Sequence, residues 1–110
     1  MPITTLLLDV GGTLVTPNFE RIAAEYAADN IRCNAIAPGF HGGTDLGRER
    51  RAAASAVTTR MFSEAVVSRT PLQRLGSPEE LVGLVIYLAS DASRFVTGQV
   101  IAHDGGWTAT

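Results

Sequence analysis

Apolar residues cluster along this chain, and the residues that break the clusters predict where elements begin and end. Leu6-Leu7-Leu8-Asp9-Val10 is a short apolar run closed by Gly11-Gly12, the pattern of a buried parallel strand followed by a tight turn. Thr16-Pro17 then reads as a helix start, because Thr caps well and Pro loses nothing in the first turn. The helix is predicted from Pro17 to about Ala28, with Ile22, Ala23, Tyr26 and Ala27 as its apolar face and Asp29-Asn30 as its end. Residues 31–37 form a second largely apolar run, stopped by Pro38-Gly39. Strand, helix and strand in this order imply a parallel, right-handed crossover.

Further along, Gly39, Gly42 and Gly43 predict a flexible loop, and residues 48–67, rich in Ala, Arg and Glu, predict a helix. The weak apolar pattern of that helix suggests a mobile surface element rather than core. Ser77-Pro78-Glu79-Glu80 is the clearest helix start: Ser at the cap, Pro at the first position and Glu80 completing a capping box. Leu81, Leu84, Val85 and Leu88 follow at helical spacing, and the helix is predicted to end near Ser90-Asp91. Residues 98–102 predict a last strand, after which Asp104-Gly105-Gly106 turns the chain toward Trp107. No internal repeat, linker or low-complexity segment is visible.

At 110 residues, 45% hydrophobic and 18% charged, the composition suits one small globular domain. A net charge of -2 argues against an electrostatic nucleic-acid binder or a binder of anionic membranes. The nine basic residues are all Arg, and no Lys occurs. Cys33 is the sole cysteine, so neither an internal disulfide nor a thiolate metal cluster can form. It is expected to be a small buried apolar side chain. No apolar run is long enough to cross a bilayer and no secretory signal is seen, which predicts a cytoplasmic location.

From about Ile22 to Ala109 the chain resembles the last part of a short-chain dehydrogenase/reductase. The resemblance is carried by an ordered series: Ala24-Glu25-Tyr26-Ala27, Asn30-Ile31-Arg32, Cys33-Asn34-Ala35-Ile36-Ala37-Pro38-Gly39, Thr70-Pro71-Leu72-Gln73-Arg74-Leu75-Gly76-Ser77-Pro78-Glu79-Glu80, Leu88-Ala89-Ser90-Asp91, Phe95-Val96-Thr97-Gly98-Gln99 and Asp104-Gly105-Gly106. It implies NAD or NADP as cofactor. Pro38-Gly39 stands where a parallel strand ends, the edge at which open α/β sheets bind ligands. Gly39 permits a close backbone approach. The resemblance places the nicotinamide end of the cofactor against Pro38, Gly39, Phe40 and His41 and gives the diphosphate to Thr44, one position later than the family's usual spacing. The plainer alternative is that Pro38-Gly39 only ends a strand. The side chain of His41 reads as solvent-exposed, His103 and Asp104 do not make a metal site, and Arg48, Arg50 and Arg51 with Glu49 read as a solvated helix face.

Two features that the resemblance calls for do not occur in these residues. No Gly-x-x-x-Gly-x-Gly turn is present to hold a diphosphate at a helix N-terminus. The family's catalytic Tyr, with a Lys four residues later, has no counterpart: Asn30 follows Tyr26 at that spacing, and Tyr87 reads as core. Hydride transfer to a carbonyl then lacks a proton source, so the chain is expected not to catalyse alone. Residues 6–15 resemble instead the first motif of the haloacid dehalogenase superfamily, with Asp9 as nucleophile but Gly11 where the general acid belongs. A strand-turn segment serving for its shape is the simpler reading.

The expected fold is α/β: a truncated Rossmann-like three-layer fragment with a short, mostly parallel three-stranded sheet and flanking helices. It forms a single domain over 1–110, in which 1–20 is an unrelated-looking strand-turn segment and strand 5–10 lies beside strand 31–37. Three functional readings follow. The first is a portion of an NAD(P)-dependent oxidoreductase. The second is a non-catalytic oligomerisation module acting through the 77–90 helix, the last strand or the open sheet edge. The third is a phosphotransferase using Asp9.

Overall fold

The computed structural model describes residues 5–9, 19–44, 48, 49 and 52–110. The chain divides into two compact units, one of Met1–Pro38 with Val82–Ala102, the other of Gly39–Leu81 with His103–Thr110. The predicted Gly11-Gly12 turn and Thr16-Pro17 helix start lie outside the described residues.

The first unit is α/β. Strand β1 (Thr5–Asp9), helix α1 (Phe19–Ala27), strand β2 (Arg32–Pro38), helix α3 (Val82–Ala89) and most of strand β3 (Val100–His103) belong to it. The sheet order is β1-β2-β3. β1 pairs with β2 in parallel, Thr5 opposite Arg32 through to Asp9 opposite Ile36, so the expected neighbour strand is in place. On the other side of β2, Gly98 N–H donates to Cys33 O and Ala35 N–H to Gln99 O. The partners advance together along both segments, as parallel strands require.

Helix α1 stops because Asn30 takes a left-handed conformation (φ 60°). Ile31 N–H returns to Tyr26 O and Asn30 N–H to Ala27 O, the paired bonds of a Schellman motif. Ala23 is buried, but Tyr26 and Ala27 are exposed, so the inner face of α1 is narrower than its sequence suggests. The core gathers Ala23, Cys33 and Ala35 with Ile22 against them, and Ile36 and Leu88 are also buried.

Buried polar groups fasten this core. The guanidinium of Arg32 donates to Ser93 Oγ at 2.9 Å and to Leu88 O at 2.8 Å, with longer bonds to Ser90 O and Val96 O. It thus satisfies carbonyls that the end of α3 leaves open. Asn34, fully buried, donates from Nδ2 to Val96 O and accepts from Gln99 N–H. Tyr87 is not core: it is 40% exposed, as are Val82, Val85 and Ile86 to similar or greater degree. Helix α3 is apolar on nearly every side, and only the stripe carrying Leu84 and Leu88 turns inward.

In the second unit, helix α2 runs Ala56–Arg69. The continuous helix predicted over 48–67 is interrupted, with Arg48, Glu49, Ala52 and Ala53 helical before the break. Ser55 causes it: its backbone is extended (φ −66°, ψ 152°), and its hydroxyl accepts the Thr58 N–H as an N-cap. Val66 is the buried residue of α2, and Val57, Met61 and Phe62 stand exposed, consistent with a surface element. The predicted 77–90 helix begins as a 3-10 turn, Pro78–Leu81, and becomes α-helical at Val82. The expected capping contact is present in one direction, with Glu80 accepting from Ser77 N–H at 2.8 Å.

Candidate functional site

The loop that leaves β2 is pinned at several points. Gly39 N–H donates to His103 O, Gly76 N–H to Phe40 O and Gly42 N–H to Gly76 O, which makes a parallel bridge between His41 and Gly76. A Cβ on Gly39 would come within 2.7 Å of the Cα and Cβ of Asp104. The chain's own packing therefore accounts for glycine at this position, whether or not a ligand approaches.

Each residue singled out from the sequence can now be placed. Pro38 is the last residue of β2. Phe40 offers a carbonyl already engaged by Gly76, with one lone pair remaining. Its ring lies edge-on to Trp107 (5.0 Å between centroids) and to Phe62 (5.8 Å). Thr44 is half-buried, and its carbonyl accepts from Arg48 N–H. The side chain of His41 is not simply solvated. It is half-buried, its Nδ1 stands 3.1 Å from Gly39 O, and its Nε2 stands 3.3 Å from His103 Nδ1.

A cavity of about 50 Å³ is lined by Phe40, His41, Thr70, Arg74, Glu80 and His103, among others. That volume holds a few waters and is far below what enclosing a drug-sized ligand requires, roughly 300–1,000 Å³. A dinucleotide would have to lie along the loop rather than inside this cavity.

The charges around it are already matched. Arg74 donates to both carboxylate oxygens of Glu80 at 2.8 and 2.7 Å. That fork, reinforced by the Ser77 N–H, holds the Glu80 carboxyl down to about 2. Asp104 is lowered by the hydroxyl and N–H of Thr108 and by Gly106 N–H; these bonds, at 2.7 to 2.9 Å, close the final 3-10 turn Trp107–Ala109. Arg69 lies over the Trp107 ring at 4.5 Å.

Sequence reasoning did not find the pairing of His41 with His103, which are 62 positions apart and share no local pattern. The Arg74–Glu80 fork is at six residues' separation, outside the spacing that a helix makes legible. The Asp104 cap did leave a signal, an Asp followed by Gly-Gly and a Thr four positions on, a side chain suited to bonding nearby backbone. The side chain of Asp9 lies outside the described residues. No set of three or more His, Cys, Asp or Glu suited to a metal occurs among the described residues. No helix among them is long and apolar enough to cross a membrane.

Comparison with known proteins places the chain in a family. The family described as enoyl-(acyl carrier protein) reductase matches residues 16–108. A tropinone reductase homolog of Arabidopsis thaliana is 47% identical over 87 residues, covering 79% of this chain and 30% of the relative. The chain therefore spans under a third of that relative's length. A short chain dehydrogenase family protein from Francisella tularensis superposes with a TM-score of 0.80 at 28% identity, over 98% of this chain and 52% of that one. A gluconate 5-dehydrogenase from Burkholderia cenocepacia, solved with NADP and tartrate, gives 0.78 at 30% identity, over 96% and 45%. The match to the haloacid dehalogenase motif at residues 6–15 finds no support in these relatives, and the family match begins after it.

Proposed function

The chain belongs to the short-chain dehydrogenase/reductase family, and from that premise we propose that it supplies the nicotinamide-end loop of an NAD(P)-dependent oxidoreductase without being able to turn over alone. The observation that carries this reading is the loop 39–44, which leaves the C-terminal end of a parallel strand and is held in place by Gly76 and His103. That is the edge where such sheets bind ligands. Peptide groups at Pro38, Gly39, Phe40 and His41 face the nicotinamide carboxamide, and the Thr44 hydroxyl serves the diphosphate. NADP binding in the Burkholderia relative supports a phosphorylated dinucleotide as the first ligand to test. With no Lys in the sequence, the Tyr–Lys proton source is absent, and neither tyrosine replaces it.

Calorimetry on the purified chain tests this directly. NADPH or NADH binds with a millimolar dissociation constant, Thr44→Val weakens it, and the reduced dinucleotide is not consumed when a ketone is added. An absence of heat at millimolar dinucleotide removes the proposal, and steady turnover removes its second half.

A homo-oligomer is the second part of the reading. Val82, Val85 and Ile86 on α3 are 51%, 38% and 62% exposed, and Val100 on the last strand is 54% exposed; exposed apolar side chains on one helix are of the kind that marks association sites. Among the described residues, β1 is paired on one side only, which leaves an edge that also favours association. Light scattering across a wide concentration range is expected to give a dimer or larger, and a monomer throughout refutes it.

A further inference from the structure

We propose that the imidazole side chains of His41 and His103 form a binding site for a divalent transition-metal ion, in the same loop whose peptide groups are assigned above to the dinucleotide but using the rings and not those groups. The geometry begins with the tautomer. Gly39 O can only accept, so the Nδ1 atom of His41, 3.1 Å away, carries the hydrogen. In the neutral ring the lone pair is then on Nε2, and Nε2 is the atom that faces His103 Nδ1 at 3.3 Å. A ligating His commonly holds its outward N–H against a backbone carbonyl, which fixes its orientation and raises its basicity.

The separation of the two nitrogens fits an ion. Two imidazole nitrogens bound at roughly 2.0–2.1 Å with tetrahedral angles stand about 3.3–3.4 Å apart. Space for the His41 ring is built in: a Cβ on Gly76 would fall 2.7 Å from its Cδ2 and Nε2. The cavity beside the pair, about 50 Å³, accommodates the waters that complete the shell, since the described residues supply no third ligand in reach. The other charged groups lining it do not oppose a cation. Arg74 is neutralised by Glu80, and Asp104 adds negative charge while bonded to Thr108 and Gly106.

Without metal, His103 Nδ1–H donates to His41 Nε2. Metal uptake by the neutral pair moves that hydrogen to His103 Nε2, so both facing nitrogens present lone pairs and no net proton is released. Two imidazoles and water favour borderline ions, in the order Cu²⁺ above Ni²⁺ and Zn²⁺, and do not suit Mg²⁺.

The test uses the full, untagged chain, titrated with Cu²⁺, Ni²⁺, Zn²⁺ and Mg²⁺ by calorimetry. One transition-metal ion binds per chain in that order and Mg²⁺ does not. His41→Gln and His103→Gln each remove a direct ligand and weaken binding by more than the about 10- to 100-fold that loss of an outer-shell partner costs. Electron paramagnetic resonance of the Cu²⁺-loaded wild-type protein shows hyperfine coupling to two imidazole nitrogens, a readout that needs no variant to fold. Absence of binding, a single-nitrogen spectrum, or binding unchanged in either variant overturns the site. None of these results depends on whether dinucleotide binds.

Discussion

The two compact units are held together by different means, and the contrast explains what each can do. The first unit buries side chains: Ala23, Cys33, Ala35, Ile36 and Leu88 are inside, and Arg32, Asn34 and Ser93 join strand to helix through bonds that leave no buried polar side-chain atom unpaired among the described residues. Among the described residues, the second unit buries little beyond Val66 and Thr70. It is assembled from loop-to-loop hydrogen bonds, glycines at close approaches and aromatic edges. Apolar burial makes a scaffold. A knot of backbone bonds places individual groups, and it is in that second unit that the loop and the histidine pair reside.

If burial carries the first unit, truncating its most enclosed side chain has the largest effect. Leu88→Ala is expected to cost about 2–5 kcal/mol, the range for large-to-small changes in a core, measured by chemical denaturation. A loss under 1 kcal/mol would show that α3 is not integral to that core. In the second unit, Gly39→Ala forces a Cβ onto Asp104 and is expected to cost about 1–3 kcal/mol, the scale of overpacking, with no ligand present. A neutral outcome there would return Gly39 to a role in ligand approach alone.

Smaller effects probe charge and reactivity. The Glu80 carboxyl, ordinarily near 4.5, is held at about 2 by Arg74 and the Ser77 N–H. A depressed carboxylate adds stability that is complete above the ordinary value and is lost as pH falls toward the folded value. Melting temperatures between pH 4.5 and 2 should therefore decline more steeply in wild type than in Glu80→Gln. Because both side chains are well exposed, the difference is expected to be modest and to shrink in salt. Equal slopes would mean that the fork does not persist in solution. Burial pushes the Cys33 thiol up, so Ellman's reagent is expected to react with it only after denaturation; rapid native labelling would indicate that the first core opens readily.

The same contrast separates what the sequence reveals from what it conceals. Strand β2 and the Pro38-Gly39 stop were legible because an apolar run and its breaker are adjacent in the chain. Helix α1 ended where Asp29-Asn30 suggested, since Asn tolerates the left-handed turn. The pairing of β1 with β2 followed from crossover rules. Tyr87 was misplaced because α3 is apolar on nearly every side, and periodicity cannot choose the buried stripe of such a helix. The break at Ser55 was missed because a Ser amid alanines looks like helix until its side chain is seen to capture Thr58 N–H. The His41–His103 contact had no local signature at all, because it joins the loop after β2 to the end of β3.

The most direct test of the nicotinamide-end assignment is a residue-resolved NMR titration of the chain with NADPH. Backbone signals of Gly39, Phe40, His41 and Thr44 are expected to shift together and saturate in the millimolar range, with the cofactor left unoxidised. Shifts that cluster elsewhere, or none at millimolar NADPH, would contradict the assignment of this loop to the dinucleotide.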